Sequence, residues 1–274
     1  RKTKTSSDPL LIKASSSPID LVVISHEFTD HCHRVLKLGM QYSNDIELTS
    51  YQATLLEIDC RVPVIAAEKA FSLVRSWEHF ENVVNIPSFS ADNADWRRTS
   101  IDPLPRWLGI SRMVSAGSNA LYYHSALLLV FEQSRLGTMS DNATAEAIIY
   151  SGHGIEANDL QHLSKAQPPI RTVALLHGLH DIAMTKSFQL NLGAHNGLKA
   201  QRICKARYWV STHDEVKRGG GLVSPFLRRS VLTVQEAMDK ELAENGHIPS
   251  SSELAGLQDV NFADLASGES LLLL

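Results

Sequence analysis

Cysteine is scarce in this chain of 274 residues: Cys32, Cys60 and Cys204 are the only three. They form no Cys-x-x-Cys pair. So sparse and odd a count argues against a disulfide framework and fits a reduced, cytoplasmic setting. Long apolar runs are missing as well. No stretch approaches the roughly 20 apolar residues that span a bilayer, and the terminal Leu271 to Leu274 is too short to anchor anything. No membrane partner is therefore expected. A dominant charge is also lacking: the formal net charge is −4. The richest basic stretch, Lys217-Arg218 with Arg228-Arg229, is interrupted by glycines and apolar residues. It reads as a solvated loop and helix edge, so no nucleic-acid partner is expected and an RNA-processing nuclease is disfavoured. The opening Arg-Lys-Thr-Lys-Thr-Ser-Ser has neither an initiator Met nor an apolar h-region, and the chain is read as a fragment or a processed form.

What is present is a core. At 43% hydrophobic residues the chain can bury one, and a single domain is the default for this length. Short β-branched runs at Ile19 to Ile24, Val62 to Ile65 and Glu81 to Ile86 read as buried strands. Helical stretches are expected over His33 to Leu38 and Ala66 to Trp77. Ser88 to Arg106 reads as a long surface loop. Two longer runs between Ile110 and Glu132 predict a β-hairpin around Ala116 to Asn119. Further strands are expected at Ala147 to Tyr150 and Thr172 to Leu176, and Tyr208 to Ser211 is the last clear one. Helices are expected over Asp159 to Ala166, Gly197 to Lys205 and Thr233 to Glu244. This alternation predicts an α/β layered fold over 1–245, with 246–274 as a loosely ordered tail.

The chain has 12 histidines, and their places matter more than their number. His26, His153, His177 and His213 each follow an expected buried strand, where α/β sheets line a ligand crevice. Ser25-His26-Glu27-Phe28-Thr29-Asp30-His31 joins a strand to a helix and offers imidazoles with a hard oxygen donor. The plainer reading of each strand-end histidine is a hydrogen-bonded structural residue. His79, His162 and His247 lie in polar surroundings and read as surface residues. Cys32, between His31 and His33, reads as an inert thiol.

Asp20 to His26 followed by Asp30-His31 resembles the signature of the metallo-β-lactamase superfamily, a strand and then His-x-His-x-Asp-His. The nearest branch is the lactonase-like one, which holds ascorbate-6-phosphate lactonase-type and related uncharacterised hydrolases. The resemblance runs from about Pro18 to Leu227 and implies an αββα sandwich, here with fewer strands before Ser25 than is usual. It places further ligands at His124 in Tyr123-His124-Ser125 and at His213 in Val210 to Glu215. Two positions depart from the pattern. Phe28 stands where the second loop His is expected, and His153 stands where a bridging Asp is expected. The implied ligand set is His26, Asp30, His31, His124, His153 and His213. One metal ion is implied rather than two, centred on Asp30, His31 and His213 with His153 as a further donor. Zinc suits these nitrogens and one oxygen better than iron or manganese.

The resemblance implies a metal-dependent hydrolase acting on a small-molecule lactone, ester or phosphoester through a metal-bound hydroxide. Asp30, or the nearby Glu27 or Asp214, is expected to orient the water or act as base. His177, with His180, is expected to stabilise the developing oxyanion. The alternative is a non-catalytic metal-binding or apo scaffold of the same fold, used for interaction.

Overall fold

The structure, a computed structural model, describes residues 19–28, 31–32, 55–114, 123–132, 145–185, 188–214, 226–245, 260–266 and 269–273. The helix expected over His33 to Leu38 and the candidate ligand Asp30 lie outside the described residues. So do the centre of the expected hairpin and residues 246–259. The chain forms two compact units, Arg1–Ile86 and Pro87–Leu274.

In the first unit, β1 (Val22–Ile24), β2 (Val64–Ala66) and β3 (Val83–Asn85) form a parallel sheet in that order, with Val23 opposite Ile65 and Ile65 opposite Val84. Parallel strands are covered on both faces and so read as continuous apolar runs, and all three residues of β2 are buried. Between β2 and β3 runs α1 (Glu68–Arg75), which buries Ala70 and Val74, one turn apart on the same face. Glu68 in its first turn and Arg75 in its last complement the helix dipole. Ile24, Val64, Val74, Trp77 and Phe80 close a core around this βαβ arrangement.

The second unit is built on a six-stranded sheet. Its members are β4 (Leu108–Val114), β5 (Ser125–Phe131), β6 (Ala145–Ser151), β7 (Ile170–His177), β10 (Tyr208–Val210) and β12 (Asn261–Ala263). They run in the order β12-β10-β7-β6-β5-β4. β4, β5 and β6 pair antiparallel, whereas β6, β7, β10 and β12 pair parallel. A smaller antiparallel sheet holds β8 (His180–Thr185), β9 (Phe188–Asn191) and β11 (Arg228–Val231) in the order β11-β8-β9. Leu128, Val130, Ala147, Ile149, Leu175 and Trp96 lie in one core. In a second cluster α2 (Ala194–Cys204) and α3 (Val234–Asn245) meet Trp209 through Ala194, Leu198 and Ala237. Lys205, left-handed at φ 51, ends α2 by turning its N–H back to the Gln201 and Arg202 carbonyls.

The α/β class and most of the expected strands are present. Four strands were not expected: β8, β9, β11 and β12. β11 is exposed at every residue and so carries no apolar pattern, and β12, within the stretch read as tail, has only Asn261, Phe262 and Ala263. The helix expected at Asp159 to Ala166 is a 3-10 segment, Ala157–Lys165. No helix among the described residues is long and apolar enough to cross a membrane.

Candidate functional site

In the first unit the chain leaves β1 and turns sharply. The Phe28 carbonyl accepts from the His31 N–H at 2.9 Å and from the Cys32 N–H at 2.7 Å, which folds His31 back towards His26. Their ring centroids stand 5.1 Å apart, and their ligating nitrogens lie within 4.8 Å of each other. The Ser25 hydroxyl sits 3.0 Å from His26 Nδ1 and 3.3 Å from His31 Nδ1, so one oxygen orients both rings. His26 is buried. Phe28, in the place of a second loop histidine, stacks on His26 with centroids 5.7 Å apart and planes 18° from parallel. Burial, with the Glu27 carboxylate nearby, pushes the Cys32 thiol up to about 11, in keeping with an inert thiol. Glu27 itself lies 3.9 Å from the Lys69 ammonium.

In the second unit three more candidates sit at strand ends. His124 directly precedes β5, His153 follows β6 and His213 follows β10. His153 and His213 meet edge to face, with centroids 5.0 Å apart and planes at 87°. His153 Nδ1 donates to Asn191 Oδ1 at 2.9 Å, and this fixes the tautomer with its lone pair on Nε2, as the outer partners of ligating histidines do. The backbone here is tightly made. Gly154 is left-handed at φ +84, and a Cβ there would lie 2.5 Å from Leu192 Cβ, so no larger residue fits behind His153. His213 adopts φ 64 without being glycine. Such a conformation costs of order 1–3 kcal/mol, persists only where its surroundings impose it, and clusters at functional sites. Tyr123 stands edge-on to His153 at 6.0 Å and to Phe188 at 6.4 Å.

His177 and Asp214 take other roles. His177 is fully buried, its Nδ1 donates to the Gly178 carbonyl at 2.7 Å, and Asn196 Nδ2 donates to its Nε2 at 3.3 Å. Asp214 accepts from the Leu179 and His180 amides. Burial pushes its carboxyl up against the pull of those amides. Asn191 and Asn196 are not among the residues that the sequence marks out. Asn191 lies on an unexpected strand, and nothing local marks Asn196 as the partner of His177.

A metal ion binds imidazole in its neutral form. Burial drives His124 down to about 4, helped by the His153 ring, so its imidazole is neutral and keeps a lone pair at neutral pH. Burial likewise drives His177 to about 4 from an ordinary 6.5. Between these two values the unfolded chain holds more protons than the folded one. The stability that His177 contributes is therefore complete above about 6.5 and is lost as pH falls towards 4. In metal-free protein the urea midpoint is expected to fall steadily over that interval, and His177→Gln to flatten the fall. A wild-type midpoint that does not move there would contradict this assignment.

No protein-family model matches the sequence, and no curated protein matches it. Among solved structures, the isothiocyanate hydrolase from Delia radicum gut bacteria is similar, with a TM-score of 0.50 at 15% identity over 92% of this chain and 76% of that one. A protein of Veillonella parvula, described as a possible metal-dependent hydrolase, aligns over 91% of this chain and 74% of its own, with a TM-score of 0.45 and 10% identity. At such identity the first likeness speaks for a shared α/β fold, one that a solved hydrolase adopts.

Proposed function

We propose that the chain is a metal-dependent hydrolase of the metallo-β-lactamase fold, acting on a lactone, ester or phosphoester. One observation carries the reading: His153 and His213, from loops after β6 and β10, meet at 5.0 Å with His213 held in left-handed backbone. The second unit offers His124, His153 and His213 as donors, and the first unit, taken by itself, offers His26, Asp30 and His31. Zinc is the metal that suits them, with iron or manganese as alternatives. A bound zinc ion supplies Lewis acidity and lowers the pKa of a coordinated water towards about 7.

The chain's own residues do the rest. Ser25 holds the His26 and His31 rings in place. Asn191 fixes the His153 tautomer. Asp30 is proposed to orient the attacking water and take its proton. His177, which the sequence suggests for an oxyanion, serves here as a positioning residue. It is fully buried, with both ring nitrogens engaged by Gly178 and Asn196.

The stack of Phe28 on His26 favours a second reading, a non-catalytic scaffold of the same fold, because it replaces a donor with an apolar ring. Turnover separates the two. Zinc-loaded protein offered lactones, aryl esters, phosphodiesters and, after its solved neighbour, an isothiocyanate is expected to hydrolyse at least one, and a chelator to stop it. Zinc bound without turnover across the whole panel would favour the scaffold.

A further inference from the structure

Asp214 follows His213 in the chain, and its carboxylate is spent on the backbone. Leu179 N–H approaches both carboxylate oxygens at 2.8 Å, His180 N–H donates to Oδ1 at 3.0 Å, and His180 Nδ1 stands 3.7 Å from the same oxygen. The first amide belongs to the link between β7 and β8 and the second opens β8, whereas Asp214 belongs to the loop after β10. β7 and β10 are neighbours in parallel register, with Leu176 opposite Val210, so the two loops leave the same end of adjacent strands. They are packed at backbone distance: a Cβ on Gly178 would lie 2.8 Å from the Thr212 carbonyl and 3.1 Å from Asp214 Oδ1.

Between Thr212 and Asp214 sits His213 at φ 64. A left-handed non-glycine residue relaxes unless both its flanks are held. On one side Ser211 N–H donates to the Ala263 carbonyl at 2.9 Å. On the other side, the amides of Leu179 and His180 hold Asp214.

We propose that Asp214 is a positioning residue that clamps the loop after β10 to the Gly178–His180 backbone and thereby holds His213 in its ligating conformation. The assignment rests on the reading of His213 as a metal donor.

The test uses the full chain with zinc as the probe. Asp214→Asn keeps the shape but loses the charge and leaves one accepting side-chain atom in place of two. Its zinc affinity by calorimetry is expected to fall about 10- to 100-fold, the range typical of residues that hold ligands in place. Cobalt substituted for zinc is expected to show an altered visible spectrum in the same variant. Asp214→Glu, which can reach the same amides, is expected to recover part of the affinity. Hydrogen exchange supplies a readout that needs no metal: the Leu179 and His180 amides are expected to be protected in the wild type and to exchange faster in Asp214→Asn. If the wild type binds no zinc, the metal reading fails, and the exchange experiment still decides the clamp. Unchanged protection of those amides in Asp214→Asn would overturn it, as would unchanged zinc affinity in a folded variant.

Discussion

Replacing Trp209 with alanine is expected to lower the stability of the chain by about 3–5 kcal/mol, the usual cost of deleting a buried tryptophan. Trp209 on β10 is fully buried. Its indole N–H donates to the His177 carbonyl at 2.8 Å, and its ring meets His177 at 6.2 Å and Phe262 at 5.3 Å, each edge to face. α2 lies so close that a Cβ on Gly197 would stand 2.5 Å from Trp209 Cζ2. One side chain thus joins β7, β10, β12 and α2 beneath the strand ends that carry the candidate ligands. Trp209→Phe keeps most of the burial and removes the donor, leaving the His177 carbonyl short of a partner at a cost of about 1–3 kcal/mol. Urea unfolding at neutral pH measures both. An alanine variant that lost less than its phenylalanine counterpart would show that packing around Trp209 is not what holds this end of the sheet.

The second large effect has opposite signs for stability and for binding. His213 occupies left-handed backbone at φ 64. A β-carbon in that region costs roughly 1–2 kcal/mol, which glycine does not bear. His213→Gly is therefore expected to leave metal-free protein as stable as the wild type or more so, by about 1 kcal/mol, once glycine's greater freedom in the unfolded chain is set against the relief. The same change removes the imidazole that faces His153, and zinc affinity and turnover are expected to collapse together. His213→Asn is the control, since asparagine tolerates the left-handed region and keeps a polar side chain but offers no imidazole. A residue that strains the fold and is required for binding shows the usual exchange between stability and function. A His213→Gly variant that unfolds but binds zinc normally when folded would make His213 a structural residue instead.

Much of the scaffold is legible in the sequence, because buried parallel strands write themselves as short β-branched runs. Val22-Val23-Ile24, Val64-Ile65-Ala66 and Ile148-Ile149 all fall in strands. The strand-end histidines follow from those runs. The partners that define their roles do not. Asn191 fixes His153 from β9, and β9 belongs to a half-exposed sheet whose residues carry no strong apolar period. His177 reads as a crevice residue until Asn196 and Trp209, distant in the chain, are seen to enclose it. His213 in left-handed backbone leaves no mark in composition or spacing. Phe28 was legible as a departure, but its stack on His26 belongs to the folded loop.

The proposed hydrolase depends on metal binding by these histidines. Native mass spectrometry of the purified chain, before and after chelation and zinc addition, tests it most directly. One zinc ion per wild-type chain is expected, lost on chelation, restored by zinc and absent from His213→Gly. A folded wild-type chain that takes up no metal when zinc is offered would contradict it.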